Sequence, residues 1–241
     1  MTFPLHANPP EVLNEVLARS QELGPRGVVV FDLDSTLFDN RPRQVMILRE
    51  FGEHKGVPVL EANRVEHWDS GWDMHGAMVN AGLTHVQADA LMPHAKEFWR
   101  LRFFTSEYAE HDVETAGAAD FLRALVPTKV QIAYVTGRHE EMREGTVKAM
   151  QKCGMPLPDD KTVRLIMKPD LEESDDAFKV RAVKEVNALG QVVAAFDNEP
   201  THANGYRQSF PDAKIVHLAT DHSGRPVALL DGIVSIPDFR R

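Results

Sequence analysis

The sequence predicts an α/β protein with a parallel sheet and with a helical segment inserted after the first strand of that sheet. Three observations support this fold class. Short apolar runs, typical of strands buried on both faces, recur along the chain, and helical patterns separate most of them. The interval from residue 40 to about residue 112 shows only helical patterns. At 241 residues with 43% hydrophobic content, the chain is also long enough to bury a substantial core.

The first predicted element is an amphipathic helix over residues 9–23, with proline at its start and Gly24-Pro25 after its end. Apolar runs predict strands at residues 28–31, 130–135, 163–167, 192–196 and 214–219. Helical spacing predicts further helices at residues 114–125, 140–153 and 176–189. Strands that alternate with helices in this way indicate a Rossmann-like parallel sheet.

The long interval after the first strand is interpreted as a helical subdomain of its own. Helical patches occur at residues 43–51 and 90–104. About seventy residues without regular structure would be unusual inside a compact domain, so a folded insert is expected. The predicted division is an α/β core of residues 1–39 and 113–241 and a helical insert of residues 40–112.

The composition argues against some classes of partner. The formal charge is −9 and the isoelectric point is about 5.6, whereas a general binder of nucleic acid or of membrane surfaces needs a basic face. A local basic groove around Arg41, Arg43 and Arg138 stays open at this stage. A single cysteine, Cys153, rules out an internal disulfide framework. Because no apolar run reaches about 18 residues and the N-terminal residues do not resemble a signal peptide, we expect a cytoplasmic protein without a membrane partner.

Polar residues directly follow three of the predicted strands, and ligands of open parallel sheets bind at those strand ends. Carboxylates brought together there repel each other unless a cation holds them, and oxygen ligands suit magnesium. One aspartate can then attack phosphorus while a second carboxylate transfers a proton. The residues that follow the three strands are Asp32, Asp34, Ser35, Thr36 and Asp39; Thr136, Gly137 and Arg138; and Asp197, Asn198 and Glu199.

These segments resemble the motifs of the haloacid dehalogenase superfamily of aspartate-nucleophile phosphatases. The resemblance rests on DLDST (32–36), YVTGR (134–138), an intervening lysine and AFDNEP (195–200), in that order. It covers roughly residues 26–220 and implies that the insert is a helical cap. It also implies a magnesium-dependent phosphomonoester hydrolase that forms an aspartyl phosphate on a small soluble metabolite. Asp34 favours a phosphatase, because the dehalogenases of the family lack an acid at this place and the transport ATPases have threonine.

The resemblance implies a role for individual residues. Asp32 would attack the phosphorus, and Asp34 would protonate the leaving oxygen and later activate water. Thr136 would hydrogen-bond the transferred phosphoryl group, and a lysine would neutralise its charge. The implied Mg²⁺ ligands are Asp32, the backbone carbonyl of Asp34, and Asp197. The implied substrate contacts are Gly137 and Arg138, although Arg138 could instead cap the helix that follows it.

Several points stay open at the level of the sequence. Lys168 ends a predicted strand and Lys179 lies at the start of a predicted helix; we prefer Lys179 because the family takes its lysine from a helix start. Glu199 is followed by Pro200, which leaves its link to the metal undecided. The alternative functions are a phosphotransferase or mutase, a phosphatase of nucleotides or nucleic-acid ends, and a noncatalytic binding protein. The natural substrate and the oligomeric state are not predicted.

Overall fold

Eight strands occur in residues 3–241, which are the residues that this computed structural model describes. Two of them, β2 and β3, contain only two residues each and form a small sheet of their own. The other six form one parallel sheet in the order β5-β4-β1-β6-β7-β8. The strands are β1 (Gly27–Phe31), β2 (Phe38–Asp39), β3 (Val113–Glu114), β4 (Gln131–His139), β5 (Val163–Lys168), β6 (Gln191–Asp197), β7 (Lys214–Leu218) and β8 (Val234–Ile236).

The described residues form ten α-helices and four short 3₁₀ helices. The α-helices are α1 (Pro9–Leu23), α2 (Arg41–Lys55), α3 (Pro58–Glu61), α4 (Met74–Asn80), α5 (His85–Phe103), α6 (Ser106–Ala109), α7 (Ala118–Leu125), α8 (Arg143–Lys152), α9 (Asp175–Leu189) and α10 (Pro200–Ser209). The 3₁₀ helices are Gly24–Arg26, Val65–His67, Val126–Thr128 and Glu140–Met142. No helix within residues 3–241 combines the length and the apolar character needed to span a bilayer.

The centre of the parallel sheet is β1, which lies between β4 and β6. Its valine-rich sequence suits this place, because β-branched side chains pack well on a sheet covered on both faces. In the register of the sheet, Phe31 is opposite Tyr134 of β4 and Phe196 of β6. The residues that follow these three strands therefore emerge at the same edge.

An aromatic cluster lies just before that edge. Phe31 and Phe196 stack with ring centroids 4.8 Å apart, and Phe121 and Phe239 pack edge-on or tilted against both rings. Burying a phenylalanine contributes roughly 1.5–3 kcal/mol, so the cluster holds β1 and β6 firmly in register. The backbone N–H of Asp32 continues the ladder by donating to the carbonyl of Phe196 at 2.9 Å.

The chain divides into two compact units. The α/β unit comprises Met1–Phe38, Glu114–Glu140 and Met150–Arg241. The helical unit comprises Asp39–Val113 and Glu141–Ala149, and its core includes Phe51, Leu60, Trp68 and Met78. The cap function expected of residues 40–112 stays a prediction.

The helical unit also buries an ion pair. Arg43, near the start of α2, donates from Nε to Asp112 Oδ1 at 2.9 Å and from Nη2 to the other carboxylate oxygen. Arg43 Nη1 donates to the backbone carbonyl of Phe103 at 3.1 Å. Both charged side chains of the pair are fully buried. The pair therefore joins the two ends of the segment that runs from residue 43 to residue 112.

The structure confirms the predicted fold class, a parallel α/β sheet. The predicted helix at residues 114–125 begins later, at Ala118, because Gly117 stands before it with a φ of 79°. Several elements were missed, among them β8 and α10. The strand β8 has only three residues, which is too short for a periodic pattern, and α10 has the polar sequence PTHANGYRQS.

Candidate active site

Three charged side chains meet beyond the ends of β1 and β6. The ammonium group of Lys179, which projects from α9, donates to Asp32 Oδ1 at 2.7 Å and to Asp197 Oδ2 at 2.9 Å. It also donates to the backbone carbonyl of Val135 at 2.8 Å, which engages all three of its donors. Asp32, Lys179 and Asp197 are exposed by 7%, 5% and 1%. Lys179 is therefore held in one place between the two carboxylates.

The three groups do not share the buried charge equally. Burial raises the pKa of Asp32 to about 7, with smaller contributions from Asp197 and Asp34 in the same direction, and Lys179 opposes the rise. Burial also acts to raise the pKa of Asp197, but Lys179 and His202 bring it below its usual range. Burial acts to lower the pKa of Lys179, yet Asp197 and Asp32 raise it well above its usual range. Asp32 is thus the carboxylate whose charge the site compensates least.

The second oxygen of Asp32 differs from the first. Within residues 3–241, Oδ1 accepts the hydrogen bond from Lys179, whereas Oδ2 accepts none. Both oxygens of Asp197 are engaged, because Oδ2 binds Lys179 and Oδ1 accepts the backbone N–H of Glu199 at 2.9 Å. An oxygen with open lone pairs beside a fixed ammonium group can attack an electrophile or bind a cation.

The residues at this edge fit a magnesium ion. Within residues 3–241, no group of three or more His, Cys, Asp or Glu side chains is arranged to hold a metal. Mg²⁺ does not require one, because it is usually bound through one or two carboxylates together with water and substrate phosphate. Asp32 and Asp197 are hard oxygen donors, and burial, with the nearby charges of Asp197 and Asp34, raises the pKa of Asp32, so a cation would stabilise its charged form.

The carboxylate of Asp34 is held by an arginine from the neighbouring strand. Arg138 donates from Nε to Asp34 Oδ2 at 2.9 Å and from Nη2 to Asp34 Oδ1 at 2.8 Å. The side chain of Arg138 is 2% exposed and that of Asp34 is 35% exposed. The backbone N–H of Arg138 donates to Thr136 Oγ1 at 3.2 Å. Arg138, expected to contact substrate or to cap a helix, is therefore bonded to the predicted proton-transfer residue.

Gly137 and Lys168 belong to a contact at the start of α9. A side chain at position 137 would place its Cβ 2.7 Å from the carboxylate of Asp175, so the Asp175 side chain would have to shift to admit it. Lys168 Nζ pairs with the same carboxylate at 2.8 Å and donates to the carbonyl of Glu173 at 2.9 Å. It forms no hydrogen bond or ion pair with Asp32 or Asp197. Of the two candidate lysines, the structure brings Lys179 to the carboxylates.

Glu199 points away from the three-residue cluster. Its carboxylate accepts the backbone N–H of Ser223 at 2.9 Å and the hydroxyl of Ser223 at 2.8 Å. Thr36 and Asn198 form a reciprocal pair, in which the Thr36 hydroxyl donates to Asn198 Oδ1 at 3.1 Å and accepts the Asn198 backbone N–H at 3.0 Å. These contacts tie the segment after β1 to the segment after β6.

Sequence reasoning missed His202. Its Nδ1 lies 3.5 Å from Asp197 Oδ1, and its Nε2 lies 2.9 Å from Asp176 Oδ1. Burial acts to lower the pKa of His202, but the charge of Asp197, the hydrogen bond to it and the charge of Asp32 together raise it. The signal that could have found it is Pro200, which favours a helix start and places position 202 in the first turn behind Asp197.

Comparisons with known proteins identify the fold. No family model and no curated protein matches the chain. Among solved structures, the chain is similar to a Clostridium difficile protein assigned as a phosphatase, with a TM-score of 0.53 and 11% identity over 87% of this chain and 93% of that one. It is also similar to a dehalogenase solved as an intermediate complex, with a TM-score of 0.50 and 13% identity over 90% of this chain and 95% of that one.

Proposed function

The chain has the fold of the haloacid dehalogenase-like hydrolases, and from this premise we propose that it is a magnesium-dependent phosphomonoester hydrolase that works through an aspartyl phosphate. The observation that carries the proposal is Asp32, with Lys179 on one carboxylate oxygen and no hydrogen bond to the other within residues 3–241. A carboxylate oriented through one oxygen and open at the other suits a nucleophile. The proposed substrate is a small soluble phosphorylated metabolite.

The proposed reaction has two steps. In the first, Asp32 Oδ2 forms a bond to phosphorus while the bond from phosphorus to the ester oxygen breaks, and Asp34 donates a proton to the leaving oxygen. In the second, Asp34 takes a proton from water, which attacks the aspartyl phosphate and releases inorganic phosphate and Asp32. Throughout, Lys179 stabilises negative charge beside the nucleophile, and Thr136 would hydrogen-bond the phosphoryl group.

The metal proposal follows from the charges. Asp32, Asp197 and the backbone carbonyl of Asp34 would hold Mg²⁺, which would offset the charge of the carboxylates and of the phosphoryl oxygens. The protein alone supplies one ammonium group, Lys179, between two buried carboxylates, before a phosphate brings further negative charge. A second positive charge would therefore favour the binding of a phosphate dianion on electrostatic grounds.

A solved dehalogenase shares this fold, so the fold does not select between the two reactions. The acid at position 34 supports phosphate ester hydrolysis, because an alkoxide leaving group needs a proton whereas a halide does not. A phosphotransferase would use the same residues but would pass the phosphoryl group to a second hydroxyl. Residues 40–112 as a cap, a cytoplasmic location and a preference for small substrates over nucleic-acid ends belong to the same proposal.

The test is hydrolysis of 4-nitrophenyl phosphate by the purified protein, with Mg²⁺ and after treatment with EDTA. We expect phosphate release with Mg²⁺, its loss in EDTA and its return when Mg²⁺ is restored. Asp32→Asn should abolish release, and Asp212→Asn, a change at an exposed aspartate, serves as the matched control. Full activity in EDTA would contradict the metal proposal, and activity of Asp32→Asn would contradict the covalent step.

A second assay compares sugar phosphates, mononucleotides and a 3′-phosphorylated oligonucleotide at equal ionic strength. We expect the small substrates to have the higher kcat/KM, since the charge of −9 supplies no general basic surface for a polymer. Preference for the oligonucleotide would contradict the small-substrate proposal. Phosphate release that depends on an added alcohol acceptor would indicate a phosphotransferase instead.

A further inference from the structure

The bidentate contact between Arg138 and Asp34 bears on which substrates the site can turn over. A guanidinium is permanently charged, and its planar edge binds both oxygens of a carboxylate at once. Here Nε and Nη2 of Arg138 bind the two oxygens of Asp34 at 2.9 and 2.8 Å. Because the side chain of Arg138 is only 2% exposed, water is poorly placed to replace the carboxylate on that edge.

This contact competes with the proton transfer proposed for Asp34. To donate a proton to the leaving oxygen, Asp34 must turn one carboxylate oxygen toward the substrate. A turn that takes this oxygen off Arg138 leaves the edge formed by Nε and Nη2 with only part of the carboxylate it binds. Removing one partner from a buried charged contact is much more costly than exchanging that partner for another of the same charge.

The competing partner can come from the substrate. A carboxylate or a second phosphate near the ester oxygen has the geometry that the guanidinium edge accepts. Such a group would take the place of Asp34 on Arg138 and release Asp34 from that contact. A neutral hydroxyl in the same position would not, because it carries no charge and binds one donor rather than two.

We infer that the substrates are phosphomonoesters that carry a second anionic group within a few bonds of the ester oxygen, and that Arg138 is the residue that selects for this group. The inference rests on the proposed hydrolase function and adds a substrate class to it. Arg138 moves from Asp34 to the substrate anion as substrate binds. The number of charged hydrogen bonds on its buried edge is thereby conserved.

Matched substrate pairs test the inference. D-3-phosphoglycerate and sn-glycerol 1-phosphate differ only in a carboxylate against a hydroxymethyl group, and phosphoglycolate and 2-hydroxyethyl phosphate form a second pair with a shorter chain. Phosphate release is measured with Mg²⁺ at fixed pH and ionic strength. We expect kcat/KM to favour the carboxylate member of at least one pair by about 30-fold or more. The pair with the larger ratio shows how far the anion lies from the ester oxygen.

Variants at position 138 test whether Arg138 causes the preference for the carboxylate substrate. Arg138→Gln should bring the ratio within a pair to about threefold or less, and Arg138→Lys, which keeps the charge but loses the planar edge, should fall between. Arg240→Gln, at an exposed arginine paired with Asp238, is the matched control and should keep the wild-type ratio. Circular dichroism checks that each variant folds, and the wild-type ratio is informative even if Arg138→Gln does not.

The outcomes separate this inference from the proposed function. Equal kcat/KM values within both pairs, or a preference that survives Arg138→Gln, would overturn the inference while leaving the hydrolase intact. An equal loss on all four substrates in Arg138→Gln would make Arg138 a positioning residue for Asp34 only. If no phosphate is released from any ester, the hydrolase proposal fails, and calorimetric binding of the same pairs to Asp32→Asn then tests the anion preference alone: equal dissociation constants would overturn it.

Discussion

The α/β unit and the helical unit each bury charged side chains, but in different proportions. In the helical unit, Arg43 meets the carboxylate of Asp112 through two hydrogen bonds, and both side chains are fully buried. In the α/β unit, one ammonium group, that of Lys179, lies between the carboxylates of Asp32 and Asp197. One group therefore pairs a cation with an anion through two hydrogen bonds, and the other holds more anion than the lysine neutralises.

The difference separates a structural role from a chemical one. A buried ion pair with good geometry is costly to break, since removing one partner strands the other, and it can fix how two segments of a chain meet. The negative charge of a buried carboxylate whose pKa is raised to about 7 does not stabilise the folded state. Such carboxylates occur where a bound ligand or a reaction supplies the missing positive charge. A strongly shifted pKa therefore indicates a functional site. The comparison leads to four predictions.

The largest expected effect is on activity at Asp32. Asp32→Asn should lower kcat by about 10⁴-fold or more, because the amide is nearly isosteric but a poor nucleophile. The same substitution should not lower the free energy of unfolding at neutral pH, because it removes a charge that the site does not fully compensate. Steady-state kinetics and urea unfolding measure the two quantities. A marked loss of stability together with retained activity would reverse the roles assigned to the two charge groups.

The next effect compares Lys179 with Lys168, the two lysines that the sequence left as candidates. Lys179→Ala should lower kcat/KM by about 10³-fold, because only Lys179 contacts the nucleophile and can stabilise charge on the phosphoryl group. Lys168→Ala should lower it by less than about tenfold, because Lys168 contacts Asp175 and the carbonyl of Glu173 instead. Kinetics with 4-nitrophenyl phosphate measure both. Similar losses in the two variants would argue against a direct role for Lys179.

The choice between these lysines shows what could be read from the sequence. Buried strands need apolar runs and ligands gather at strand ends, so the sequence alone is enough to place Asp32 and Asp197 at one edge of the sheet. Lys179 could be preferred over Lys168 through the family resemblance. That preference could not be derived from spacing, because a side chain's direction depends on how α9 packs.

Other contacts of the site were beyond prediction for the same reason. Arg138 and Asp34 are 104 residues apart, and no local pattern indicates that the arginine turns back to the first strand. The link of Glu199 to the metal was left undecided, and its carboxylate is bound by Ser223, 24 residues later. His202 lies on α10, a helix whose polar sequence hid it. Apolar patterns predict the fold because they report burial, whereas polar contacts depend on the complete tertiary structure.

The third prediction concerns the matched pair of the helical unit. Asp112→Asn should lower the free energy of unfolding by about 3–5 kcal/mol, because Arg43 keeps its charge in a fully buried place. Urea unfolding monitored by circular dichroism measures the loss. The control is Asp238→Asn, which breaks an ion pair with Arg240, whose side chain is 74% exposed, and should cost less than about 1 kcal/mol. If the two variants lose the same stability, the buried pair contributes no more than a surface pair.

The smallest effect is a pH dependence of stability that arises at Asp32. Because burial raises the folded-state pKa of Asp32 to about 7, the folded protein binds a proton there that the unfolded chain, with an ordinary aspartate, releases. Between about pH 4 and pH 7 the folded state therefore holds more protons at this site, and its stability should rise as the pH falls.

The contribution of Asp32 is isolated by subtracting the free energy of unfolding of Asp32→Asn from that of wild type at each pH. In EDTA, the free energy of unfolding of wild type relative to Asp32→Asn should increase by about 2 kcal/mol from pH 7 to pH 5, since one proton is taken up over that window. Added Mg²⁺ should flatten the Asp32 difference, because a bound cation competes with the proton for the same carboxylate. A flat difference in EDTA would mean that Asp32 is already compensated by Lys179, and the two charge groups would then no longer differ in kind.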